Sequence, residues 1–138
     1  MSTAEGIHDL MPLVGTLGIR FVESGRAAVR ATLDHRPELC TTGGILHGGA
    51  IMALADSTGG SCAFLNLPDG AAGTSTIESK TNFLRAVRSG TVTATSRPLH
   101  TGRTVIVVET EVTDSDGRLV AKVTQSQAVL QPPDTRST

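Results

Sequence analysis

Leu46-His47-Gly48-Gly49-Ala50-Ile51-Met52-Ala53-Leu54-Ala55-Asp56-Ser57-Thr58 is the stretch whose reading decides the fold. It puts a glycine pair at the mouth of an apolar helix and a single carboxylate inside it. The helix is predicted to run from about Gly48 to Leu65 and to end at Pro68-Asp69-Gly70, which makes it the one long helix of the chain. Upstream of it, Pro37 to Leu46 reads as irregular, with Gly43-Gly44 as breakers.

On either side of the helix the pattern changes to that of strands. Thr16 to Ser24 and Gly25 to Asp34 read as two strands, with Gly25 at the turn between them. In the second, Ala27, Val29, Ala31 and Leu33 alternate with Arg26, Ala28, Arg30 and Thr32. After the helix come Thr74 to Leu84, Gly90 to Leu99, Thr104 to Thr113 and Leu119 to Leu130. Ser89-Gly90 and Thr101-Gly102 separate them, and Asp114-Ser115-Asp116-Gly117 is the strongest hairpin signal in the chain. Ile7, Leu10, Met11 and Val14 recur at helical spacing and predict a short N-terminal helix serving as a lid or strap. The order of one short helix, two strands, one long helix and four strands is that of an α+β fold, with the helix packed on an antiparallel sheet.

Length and composition limit the functional classes. The 138 residues suit one domain with one core, residues 1–130, followed by a polar tail, 131–138, expected to be disordered. Apolar residues make up 38% and charged residues 18%, with a formal net charge of −1, as in an ordinary soluble globular protein. That charge gives no basic field for nucleic acid, and three Phe with no Trp or Tyr give no platform for stacking bases. The first residues show neither a basic nor an apolar leader, and no run of about 18 apolar residues occurs, so we expect a cytoplasmic protein and no membrane partner. Cys40 and Cys62 fit that compartment as free thiols. His8, His35 and His100 have no metal-ligand spacing with either cysteine, and no metal is expected.

The chemistry points back to the quoted stretch. Backbone N–H groups in the first turn of a helix lack intrahelical partners and carry the positive end of its dipole. Gly48 and Gly49 have no side chains, so a substrate carbonyl can approach those donors and an oxyanion can be held there. Asp56, in a run of Ile, Met, Ala and Leu, is costly to desolvate unless something charged or reactive uses it. We read it as a catalytic group, the plainer alternatives being a tight turn for the glycines and a local cap or pair for Asp56. Ser57 lacks the glycine of a nucleophile elbow, and the Gly43–Gly49 segment matches no nucleotide-binding loop.

The residues Arg36-Pro37-Glu38-Leu39, Gly44-x-x-His47-Gly48-Gly49, Leu54-Ala55-Asp56 and Glu78-Ser79-Lys80-Thr81-Asn82-Phe83-Leu84-Arg85 resemble the hotdog-fold acyl-CoA thioesterases of the phenylacetate-degradation type. The resemblance runs from about Leu13 to Val129. It implies a long central helix wrapped by an antiparallel sheet, pairing of two chains edge to edge, and hydrolysis of a thioester between an acyl group and coenzyme A. It also implies that Gly48 gives the oxyanion N–H, His47 helps to hold the carbonyl, and Asp56 activates water or attacks. Thr76 falls where relatives have a hydroxyl near the carboxylate. Thr41 stands where many relatives place Asn, and Ala86 where they often have Pro. No cofactor is implied, coenzyme A arriving as part of the substrate. Arg85, Arg88 and Arg103 are candidates for its phosphates, Arg being suited to bidentate contacts, although exposed Arg residues are commonly just solvated.

Helix geometry adds a constraint of its own. Gly48 and Asp56 are separated by about 12 Å along the axis at roughly 1.5 Å per residue, too far for one carbonyl to touch both. A two-fold dimer, or a tetramer of two dimers, brings Gly48 of one chain to Asp56 of the other. The alternatives in other classes are a non-catalytic acyl-CoA-binding module, which has no use for Asp56, and a hydratase or dehydratase, for which the Gly-Gly after His47 is less suited.

Overall fold

The computed structural model describes residues 10–134. Its long helix, α2 (Gly48–Leu65), has the predicted bounds. Ala50, Ile51, Leu54, Ala55, Thr58, Gly59, Cys62 and Ala63 are buried, pairs of neighbours recurring once per turn along one stripe. Thr58 satisfies its buried hydroxyl by donating to the Leu54 carbonyl at 2.6 Å. Most of the stripe is small, which lets α2 lie close to the sheet beneath it.

That sheet has six antiparallel strands in the order β1-β2-β4-β5-β6-β3. They are β1 (Arg20–Ser24), β2 (Val29–Asp34), β3 (Gly73–Phe83), β4 (Thr91–Thr101), β5 (Val105–Thr113) and β6 (Leu119–Leu130). Six strands laid flat span about 24 Å, twice the diameter of a helix. Yet α2 contacts all six, so the sheet curls round it. Alternation supplies the inner face: Val92, Ala94 and Ser96 on β4, Ile106, Val108, Thr110 and Val112 on β5, and Val123, Gln125, Gln127 and Val129 on β6 are all buried. The polar pair in the middle of the sheet is satisfied, Ser96 Oγ and Thr110 Oγ1 lying 2.6 Å apart.

Differences from the sequence reading are confined to element ends. Thr16 and Leu17 belong to the short helix α1 (Pro12–Leu17), not to the first strand, because Gly18 at φ +81° closes that helix and delays β1 to Arg20. Residues 25–28 form a turn, with Gly25 N–H donating to the Ala28 carbonyl, so β2 begins at Val29. β4 continues to Thr101, past an irregularity between Pro98 and His100. Gly117, at φ +79°, makes the expected hairpin between β5 and β6. Ile7, assigned to the N-terminal helix, and the end of the tail lie outside the described residues. Among those described, no helix is long and apolar enough to cross a membrane. Cys40 and Cys62 are both free.

Candidate active site

The segment ahead of α2 is folded back by main-chain hydrogen bonds. Thr41 N–H donates to the Ile45 carbonyl, His47 N–H to that of Leu39, and Leu46 N–H to that of Val87. Gly43 and Gly44 turn the chain with φ of +78° and +72°. His47 is the N-cap of α2, and its Nδ1 accepts from Gly49 N–H at 2.7 Å. The neutral ring therefore carries its proton on Nε2, at the exposed edge of the imidazole. Gly49, expected among the substrate-binding donors, has its N–H taken by this cap. A Cβ on Gly49 would stand 2.9 Å from His47 Nδ1, so the absent side chain serves the cap. Gly48 N–H, in contrast, has no partner among the described residues. The Phe83 ring lies over Gly48, 3.1 Å from where a Cβ would be, and is itself 50% exposed. A carbonyl reaching Gly48 thus passes a movable aromatic wall.

Two turns further along, Asp56 sits on the exposed side of α2. The desolvation cost inferred from its apolar neighbours does not arise in the single chain, because Asp56 is itself exposed while Ile51, Leu54 and Ala55 turn to the core. The carboxylate is nevertheless held. Oδ1 accepts from Thr76 Oγ1 at 2.7 Å and from Gln125 Nε2 at 3.0 Å. Thr76 Oγ1 in turn accepts from Gln127 Nε2 at 2.6 Å, and Gln127 Oε1 accepts from Thr74 at 3.0 Å. An irregularity in the β3–β6 register between Thr76 and Glu78 lets Thr76, opposite Gln127, and Gln125, opposite Ser79, reach the same oxygen. Oδ2 has no protein partner among the described residues.

Asp56 opens on a cleft of about 520 Å³ whose walls include Met11, Phe64 and Leu65 on the apolar side, with Ser57, Thr74 and Thr76 as hydroxyls. Leu10 and Met11, the first described residues, also line it. His47, Gly48 and Thr41 do not line this cleft. Thr41 is exposed in the lead-in loop, at the His47 end of the helix. Arg85 and Arg88 line a second cleft with Arg118, Asp114 and Asp116. The main-chain N–H groups of Asp116 and Arg118 both donate to Asp114 Oδ1, which holds its carboxyl below the usual range. Arg103 is exposed in the β4–β5 turn and lines neither cleft. Among the described residues no cluster of three or more His, Cys, Asp or Glu is positioned for a metal ion.

Sequence reasoning found Asp56 and Thr76 but not Gln125 and Gln127. The signal was present in β6, where Val123-x-Gln125-x-Gln127-x-Val129 puts two amides on an otherwise apolar stripe.

A helix enfolded by a six-stranded antiparallel sheet, capped by His-Gly-Gly and bearing a hydrogen-bonded Asp, defines a class that comparison with known proteins identifies. The family model for the thioesterase superfamily matches residues 43–121. The 1,4-dihydroxy-2-naphthoyl-CoA hydrolase of Escherichia coli is 33% identical over 118 residues, covering 86% of this chain and 86% of that protein. A solved thioesterase of Haemophilus influenzae superposes with a TM-score of 0.88 at 28% identity, over 98% of this chain and 95% of that one. The Escherichia coli PaaI protein from the phenylacetic acid degradation operon shares the fold, with a TM-score of 0.83 at 20% identity over 93% of this chain and 91% of that one. The chain therefore belongs to the thioesterase superfamily, has the hotdog fold, and is a thioester hydrolase.

Proposed function

We propose that the protein hydrolyses acyl- or aryl-coenzyme A thioesters at a site shared by two copies of the chain. The observation that carries this reading is the seat of Asp56: one carboxylate oxygen is fixed by two donors and the other faces an open cleft. In the proposed reaction Oδ2 takes a proton from water as the water oxygen bonds to the thioester carbon. The oxyanion forms beside Gly48 N–H and His47 Nε2–H of the other copy, donors that carry no compensating bond. Collapse of this adduct breaks the C–S bond, and the proton held on Asp56 passes to the leaving thiolate. In the direct-attack alternative Oδ2 bonds to the thioester carbon as the C–S bond breaks, and water then cleaves the mixed anhydride to the free acid and the Asp56 carboxylate, its proton neutralising the thiolate. The coenzyme is part of the substrate, and no further cofactor enters the scheme.

Support for a coenzyme A substrate comes from the naphthoyl-CoA hydrolase relative. Phe64, Leu65 and Met11 suit an apolar or aromatic acyl group, and Arg85 and Arg88 are candidates for the coenzyme's phosphates. Among the described residues β3 has β6 on one side and no strand on the other, so its outer edge offers main-chain groups to a second copy. A non-catalytic acyl-CoA sensor has no role for a carboxylate held in this way.

Asp56→Asn removes the base and keeps the size. Turnover, followed as free thiol released from a panel of acyl-CoA esters, should fall by about 10²–10⁴ while the ester still binds. Retention of more than a tenth of the turnover overturns the mechanism.

A further inference from the structure

Gln125 and Gln127 occupy positions that the rest of β6 gives to Val, and each is only 1% exposed. An amide there loses water on folding and must find partners inside the protein. Three of the four amide groups find them in one chain of hydrogen bonds that ends on Asp56 Oδ1. The chain has a direction. Thr74 shares its one hydroxyl proton between Gln127 Oε1 and the Ala128 carbonyl, Gln127 donates to Thr76, and Thr76 donates to Asp56, so each acceptor along it becomes a better donor to the next. Gln125 arrives from the other side. Its remaining group, Oε1, is buried without a partner and lies where a Cβ on Gly59 would be, at 1.9 Å. The second glycine of the Gly59-Gly60 pair faces open space instead. The bare flank of α2 at Gly59 is therefore where the Gln125 amide fits.

We infer that Gln125 and Gln127 are positioning residues for the hydrolysis: together with Thr76 they clamp Oδ1 of Asp56, so that Oδ2 alone is presented to the thioester. The inference rests on the proposed catalytic role of Asp56. Gln125 lies off the cleft, and Gln127 belongs to its wall behind Thr74 and Thr76 while only 1% exposed. Their effect passes through Asp56, which separates them from residues that merely fill the core.

The test uses the full chain with Gln125→Met and Gln127→Met, apolar replacements of similar length, and Gln125→Glu, which keeps the shape and replaces the amide N–H₂ donor with an oxygen. The loss of a hydrogen bond to a charged group lowers kcat by about tenfold to a hundredfold. KM for the acyl-CoA should stay within about threefold in the Gln125 variants, since that side chain does not line the cleft. Gln127→Met, acting one bond further away through Thr76, should have the smaller effect. In the Asp56→Asn background, Gln125→Met should change the residual rate by less than about twofold, because the group it positions is gone. The inference is overturned if any of the three variants, folded by circular dichroism, keeps the wild-type kcat. It is also overturned if KM rises with kcat unchanged, or if the loss repeats in full in the Asp56→Asn background. These results leave the proposed function standing when Asp56→Asn alone is inactive, whereas an active Asp56→Asn removes both.

Discussion

The lead-in to α2 and the body of α2 build their parts of the site by opposite means. At the lead-in, His47 caps Gly49 two residues away and Thr41 closes on Ile45, so short-range bonds set the donors out in solvent. In the body, Asp56 is held by Thr76, 20 residues away, and by Gln125, 69 residues away. The first region is built mainly from local chain chemistry, with Leu46 N–H to the Val87 carbonyl as its long-range tie. The second exists only when β3 and β6 are in register and α2 lies on them.

The largest expected effect tests whether the two regions serve one reaction from different chains. Gly48→Pro removes the free N–H at the first helical position, where Pro is tolerated, and the neighbouring Phe83 ring is free to swing away. Alone, Gly48→Pro and Asp56→Asn should each lose about a hundredfold or more of turnover. Mixed in equal amounts and allowed to exchange subunits, half the dimers carry one variant of each kind and one intact site in two. About a quarter of the wild-type activity should return. A mixture of folded, exchanging variants that stays inactive breaks the shared-site geometry.

A smaller effect separates two adjacent glycines in the body of the helix. A Cβ at Gly59 meets Gln125, whereas one at Gly60 meets nothing within 4 Å. Gly59→Ala should lower stability by about 1–3 kcal/mol through overpacking and lower kcat by displacing the amide from Asp56. Gly60→Ala should raise stability by up to about 1 kcal/mol through helix propensity. Urea denaturation checks both signs, and equal stabilities would remove the argument that Gly59 is there to admit Gln125.

The smallest effect is read from the two thiols. Cys62 is buried on α2, and burial pushes its thiol up to about 11, so at pH 8 it stays protonated and inaccessible. Cys40, in the lead-in loop, is half-exposed, with Sγ 3.2 Å from His35 Nε2. A disulfide reagent at pH 8 should therefore modify one thiol per native chain and two in denaturant. Two fast thiols in the native protein would mean that α2 opens far more readily than its packing implies.

By itself the sequence determined α2 almost to the residue, because a glycine pair, an apolar stripe and Pro68-Asp69-Gly70 are local signals that no tertiary contact overrides. It also determined the strands of the sheet, whose side chains alternate about a period of two. Asp56 was legible as the odd carboxylate of that helix, although the apolar run does not bury it: the residue is exposed, and its Oδ1 reaches Thr76 and Gln125 of the sheet. The tertiary structure decided what holds the carboxylate. Gln125 and Gln127 stand out in the sequence as amides on an apolar stripe of β6, but their role depends on strand register, the bulge beside Thr76 and the bare flank of Gly59. Thr76 and Gln125, the two direct partners, are 20 and 69 residues from Asp56, and hydrogen bonds at that separation are fixed by packing, which one-dimensional periodicity does not encode.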